Sequence, residues 1–101
     1  MSRDNNKYLT PVRGETLQFT TTATVSGIDL VQNGNYRLAC DADVWVELDD
    51  GGGGMGAADS SAMLMTNDSV EYIRTTTNRF VLHALGVTTS GLLNYILMEE
   101  V

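Results

Sequence analysis

Glu15-Thr16-Leu17-Gln18-Phe19-Thr20-Thr21-Thr22-Ala23-Thr24-Val25 alternates without a break. Leu17, Phe19, Thr21, Ala23 and Val25 fall on one side, and Gln18, Thr20, Thr22 and Thr24 on the other. A two-residue period is that of a β-strand, here with one wet, threonine-rich face.

The same period recurs downstream. Asn33-Gly34-Asn35 reads as a turn, because Asn and Gly tolerate positive φ. Tyr36, Leu38 and Cys40 then share a face, with Arg37 and Ala39 opposite. After Asp41-Ala42-Asp43, an inward row resumes with Val44, Val46 and Leu48, leaving Trp45 and Glu47 outward. These two strands are expected to form a hairpin. Residues 49–61 are glycine-rich, lack a period, and are expected to be the mobile loop. Ala62-Met63-Leu64-Met65 is a short apolar run ended by Thr66-Asn67-Asp68. From Ser69 to Thr77 a strand sets Val70 and Tyr72 against Glu71 and Ile73. In the next, from Arg79 to Leu85, Phe80, Leu82 and Ala84 alternate with Val81, His83 and Leu85. Leu92 to Met98 is the most apolar stretch and suits a central strand or one covered on both faces.

No segment sustains a 3.6-residue period, and Ile28 to Gln32 holds one helical turn at most. Twelve threonines, nine valines and one proline agree with a β composition. Short strands spaced about 8–12 residues apart predict an all-β fold. The expected form is a small two-sheet sandwich or jelly-roll-like barrel of seven to eight short antiparallel strands.

The 101 residues suit one domain, with 43% hydrophobic and 19% charged residues. That balance excludes a disordered tail, and no apolar run approaches the length of a membrane span. Met1 to Lys7 holds no apolar signal segment. The net charge of −7 argues against a nucleic-acid partner. It is unevenly spread: residues 1–14 carry +2 and residues 15–101 carry −9. The expected organisation is therefore an extended arm over residues 1–14 and a single β domain over residues 15–101. Arg3, Lys7, Tyr8, Leu9 and Arg13 are the partner-binding candidates of that arm, with Val12 a further apolar anchor beside Pro11. Proline biases Thr10 towards extended geometry, which suits strand addition to a neighbour.

The chemistry-bearing residues point away from an enzyme. Cys40 and His83 are the only cysteine and histidine. Cys40 shares the inward row of Tyr36 and Leu38 and reads as a small core hydrophobe. His83 reads as solvent-facing or as part of an interface. No Gly-x-Ser-x-Gly elbow occurs. Asp41, Asp43, Glu47, Asp49 and Asp50 fail the calcium-loop spacing, with Trp45 and Val46 at its fifth and sixth positions. A strand also separates the two acidic groups by roughly 20 Å. No metal or cofactor is expected. Gly51 to Gly56 lacks the Gly-Lys-Ser/Thr ending of a phosphate loop. Trp45, the only tryptophan, is a possible interface residue, and its alternation leaves interface and core both open.

The order of these strand and turn signatures resembles a family. Gly34-Asn35-Tyr36-Arg37-Leu38, Asp43-Val44-Trp45-Val46, Met63-Leu64-Met65, Val70-Glu71-Tyr72-Ile73 and Gly91-Leu92-Leu93-Asn94 resemble small all-β virion proteins of tailed bacteriophages. The resemblance covers about residues 33–98 and departs at Met65-Thr66, where such chains often carry Leu-Pro. It implies a capsid decoration or cement protein on the capsid exterior that stabilises the shell. The implied partners are the major capsid protein and further copies of the chain, with a trimer the expected homo-oligomer. The alternative is a tail-associated β-sandwich that recognises a host surface ligand through Trp45, Tyr72 or the glycine loop. The motifs mark fold positions, so the resemblance supplies no catalytic residue.

Overall fold

The computed structural model describes residues 9–22, 25–50 and 62–100. Among them are eight strands and no helix: β1 (Leu9–Phe19), β2 (Val25–Asp29), β3 (Asn35–Cys40), β4 (Val44–Asp49), β5 (Met63–Met65), β6 (Val70–Arg74), β7 (Val81–Gly86) and β8 (Gly91–Glu100). They form two four-stranded sheets, ordered β1-β8-β3-β6 and β2-β7-β4-β5. Every pairing is antiparallel. The pairs β1·β8, β2·β7, β3·β6 and β4·β5 nest one inside another. One long folded-over ribbon, wrapped so that alternate pairs enter opposite sheets, is a jelly roll.

The inward rows fill the space between the sheets. Leu17 and Phe19 of β1, Tyr36, Leu38 and Cys40 of β3, and Leu93 and Tyr95 of β8 meet Val44 and Val46 of β4, Met65 of β5, and Leu82 and Ala84 of β7. Phe19, Leu38, Met65, Leu82, Leu93 and Val44 are fully buried, each contributing about 1.5–3 kcal/mol by leaving water. Leu92 to Met98 lies in β8, which is central in its sheet, although Leu92 itself is exposed.

Turn chemistry holds the roll closed. Asn33 and Asp68 adopt positive φ, at 57° and 67°. The fully buried Thr75 Oγ1 accepts the Gly34 N–H at 2.8 Å and donates to the Val31 carbonyl at 2.5 Å, fastening the β2–β3 turn to the end of β6. Gly91 permits a close approach: a methyl there would stand 2.6 Å from Asp41 Oδ1 and 2.9 Å from Phe19 Cζ.

Four boundaries differ from the sequence reading. The alternating stretch from Glu15 to Val25 is the end of β1 and the start of β2, in different sheets. The chain crosses where the Thr20 carbonyl accepts the Gly86 N–H. β3 and β4 do not form a hairpin; Asp41-Ala42-Asp43 is a corner between sheets, closed by Asp41 accepting the Leu92 N–H and Asp43 the Asn67 N–H, both at 2.7 Å. Ile28 and Asp29 end β2, with no helical turn after them. Finally, β1 begins at Leu9, so the sheet takes in residues 9–14 of the expected arm. The expected mobility of the glycine loop falls on residues 51–61, outside the described residues.

Candidate functional site

A sandwich has two outer faces, and these two differ in chemistry. On the β1-β8-β3-β6 sheet, the register aligns Gly14, Ile96, Arg37 and Tyr72 in one row and Thr16, Asn94, Ala39 and Val70 in the next. Leu92 lies beyond them opposite Gln18, and Met98 lies between Pro11 and Asn35. Tyr72 is 53% exposed, Leu92 47% and Val70 41%. The charged side chains described on this face are Arg37 and Arg74, and Arg74 donates to Asn35 Oδ1 at 3.1 Å. Asn94, in the central strand β8 between Thr16 and Ala39, donates Nδ2 to the Glu15 carbonyl and Thr16 Oγ1. The result is a mixed face on which exposed Tyr72, Val70 and Leu92 stand among Ala39, Asn94 and two guanidinium groups.

On the β2-β7-β4-β5 sheet the outward rows read Asp29–Val81–Asp49, His83–Glu47 and Leu85–Trp45–Leu64. His83 is buried at an outward position, 2% exposed, and pairs with Asp49 at 2.8 Å between Nε2 and Oδ2. Glu47, opposite His83 in the register, is buried as well. This corrects the solvent-facing expectation for His83. The pair was invisible in the sequence because it depends on which residue of β4 stands beside which residue of β7. At the end of this face Arg79 donates to the Leu48 carbonyl at 3.3 Å. Trp45 takes its outward position half-buried, flanked by Leu85 and by the exposed Leu64.

Cys40 lies in the core, donating its thiol to the Thr66 carbonyl at 3.2 Å, and burial pushes that thiol up from its ordinary pKa. It faces the interior of one sheet while His83 faces outward from the other, so the fold does not bring them together. Asp41 and Asp43 hold backbone amides at the corner, which gives them a structural task. No group of three or more His, Cys, Asp and Glu side chains suited to a metal occurs among the described residues.

Of the arm candidates, Arg3, Lys7 and Tyr8 lie outside the described residues, and Leu9 enters β1. Arg13 stands in β1 just past a bulge at Val12, with its guanidinium 3.7 Å from Glu15. The bulge leaves Val12 half exposed, while unbroken alternation from Leu17 keeps Arg13 on the inward row. There it borders a cleft between the sheets that the sequence reading missed. The signal was present: Arg13 and Glu15 continue the inward row of Leu17 and Phe19 with charges.

No protein-family model and no curated protein matches the chain. Among solved structures it is similar to a de novo designed double-stranded β-helix determined by solution NMR. The TM-score is 0.58 at 9% identity, over 87% of this chain and all of that one. It is also similar to a chain from Bacillus endospore appendages, described as a novel family of disulfide-linked pili. There the TM-score is 0.50 at 14% identity, over 100% of this chain and 97% of that one. Both likenesses are of fold.

Proposed function

We propose that the protein is a structural virion subunit of the capsid decoration or cement type, docking on the shell exterior by the outer face of β1-β8-β3-β6. The observation that carries this reading is the exposure of Tyr72, Leu92 and Val70 on one face whose described charges are Arg37 and Arg74. An aromatic and aliphatic centre beside arginines has the composition of a protein-binding surface. Its charge suits an acidic, partly apolar partner surface on the major capsid protein. The body as a whole is acidic, which favours a place away from packaged nucleic acid. Residues 1–8 precede β1 and carry Arg3 and Lys7, a further basic contribution to docking. Oligomerisation, with a trimer as the expected form, raises the number of contacts each subunit contributes to a symmetric shell.

The test is reconstitution. Particles assembled without this protein are mixed with the purified chain, sedimented, and assayed for bound protein and heat resistance. Saturable binding that raises the disruption temperature supports the reading. Binding that survives replacement of Tyr72 and Leu92 by Asp moves the interface elsewhere, and no binding to any particle refutes the role.

A further inference from the structure

β1 and β2 are the edge strands of their two sheets, and between them opens a cleft of about 250 Å³. Its floor is aliphatic, from Ile28, Leu30 and Leu97, and two buried tyrosines, Tyr36 and Tyr95, close its inner end. Arg13 and Glu15 stand on one lip and Asp29 on the other. In the register, Glu15 faces Tyr95 and Arg13 faces Leu97, which are inward positions of the sandwich. Charges are costly at such positions unless water or a polar ligand reaches them. Their side chains are 65% and 54% exposed, so the cleft is open to solvent.

The polar atoms converge on the opening. Tyr95 Oη donates to Glu15 Oε1 at 3.4 Å, and burial together with the Glu15 carboxylate pushes the Tyr95 hydroxyl up from its ordinary pKa, keeping it a donor. Tyr36 Oη accepts the Val31 N–H at 2.8 Å, which leaves its own proton to donate. At the opening the Arg13 guanidinium and the Glu15 carboxylate stand 3.7 Å apart and cancel in charge, which favours neither an anion nor a cation. A neutral ligand whose neighbouring groups both donate and accept satisfies all of them. At about 250 Å³ the cleft is smaller than the roughly 300–1,000 Å³ of pockets for drug-sized ligands, so one ring fills it.

We propose that this cleft binds a single pyranose ring of a glycan. The sugar hydroxyls donate to Glu15 and accept from Arg13 and Tyr36, while its C–H face lies on the aliphatic floor. This site is separate from the shell-docking face and does not depend on that reading.

The experiment is a backbone-amide NMR titration of the full chain with methyl glycosides of glucose, galactose, mannose and N-acetylglucosamine. n-Propylammonium and acetate serve as charged controls. Saturable shifts confined to residues around Arg13, Asp29, Tyr36 and Tyr95, from at least one glycoside, are expected. Glu15→Gln should weaken that binding about tenfold, as loss of a charged hydrogen-bond acceptor does, while Trp45→Ala leaves it unchanged. Arg13→Gln replaces the first variant if it fails to fold, and full affinity in that folded variant counts equally against the proposal. Failure of all four glycosides, tighter binding of either charged control, or full affinity in a folded carboxylate variant each overturns the proposal. In that case Arg13 and Glu15 are inward charges guarding an edge strand.

Discussion

The two outer faces of this sandwich are built from the same alternating strands, yet they differ in chemistry. One carries Tyr72, Leu92 and Val70 in the open with two arginines. The other carries three acids, with His83 and Glu47 buried among Val81, Leu85 and Trp45. Exposed apolar area is open to contacts from outside the chain, whereas a buried His–Asp contact serves the chain itself. The difference teaches that outward-facing is a statement about strand parity, not about solvent. Function should follow the exposed face and stability the buried one.

The comparison breaks most readily at His83. Asp49→Ala strips the polar neighbour from a buried imidazole and should cost about 2 kcal/mol, the range for a buried polar group left unsatisfied. Urea unfolding measures it. A loss no larger than that of a surface substitution would make the two faces energetically alike. Next, Tyr72→Ala should weaken shell docking by about 2 kcal/mol, near thirtyfold, with folding stability almost unchanged. Trp45→Ala should leave docking intact; the reverse pattern exchanges the roles of the faces. Arg37→Gln with Arg74→Gln should shift stability by at most about 0.5 kcal/mol. In the docking assay the same pair should flatten the salt dependence, read by repeating sedimentation from low to moderate salt.

The smallest effect sharpens what lies between the faces. The Cys40 thiol and the Tyr95 hydroxyl both have folded-state pKa values raised, chiefly by burial. A raised pKa means the folded state holds its proton more tightly than the unfolded state does. The resulting stability is complete below the ordinary values of 9.0 and 10.0 and is lost as pH climbs through and above them. Thermal melts from pH 8 to pH 11 should show this decline, and Cys40→Ala should remove its earlier part. A melting temperature that stays flat in the wild-type chain would contradict both shifts.

Much of the fold was legible because two-residue periodicity is local. Leu17 and Phe19, the row from Tyr36 to Cys40, Val44 and Val46, and Leu82 with Ala84 all face inward as their alternation says. What periodicity does not encode is which strand lies beside which. The β3–β4 hairpin failed because a short acidic corner looks like a hairpin turn until the chain is seen to change sheets there. Trp45 was legible only as outward, since its burial depends on Leu85 and Leu64, one of them forty residues away. Arg13 was read as part of an arm because basic residues before a strand look like a tail. The β1–β8 ladder, set by pairing with the opposite end of the described chain, moved it into a cleft.

That ladder also governs when the protein can fold. Leu9 pairs with Glu100, and β8 sits between β1 and β3, so the first sheet has no middle until the final strand arrives. At about 5–20 residues per second, a ribosome leaves β1 and β3 waiting for seconds with their inner rows uncovered. Only the innermost pair, β4 with β5, can close early, and it is three residues wide. Closure therefore runs from the centre of the ribbon outward and finishes with β8, on the slow side for a fold of this size because its pairings are distant in sequence. A tag or fusion at either end loads the one pairing that forms last, so its cost should appear in the yield of folded protein before it appears in the melting temperature.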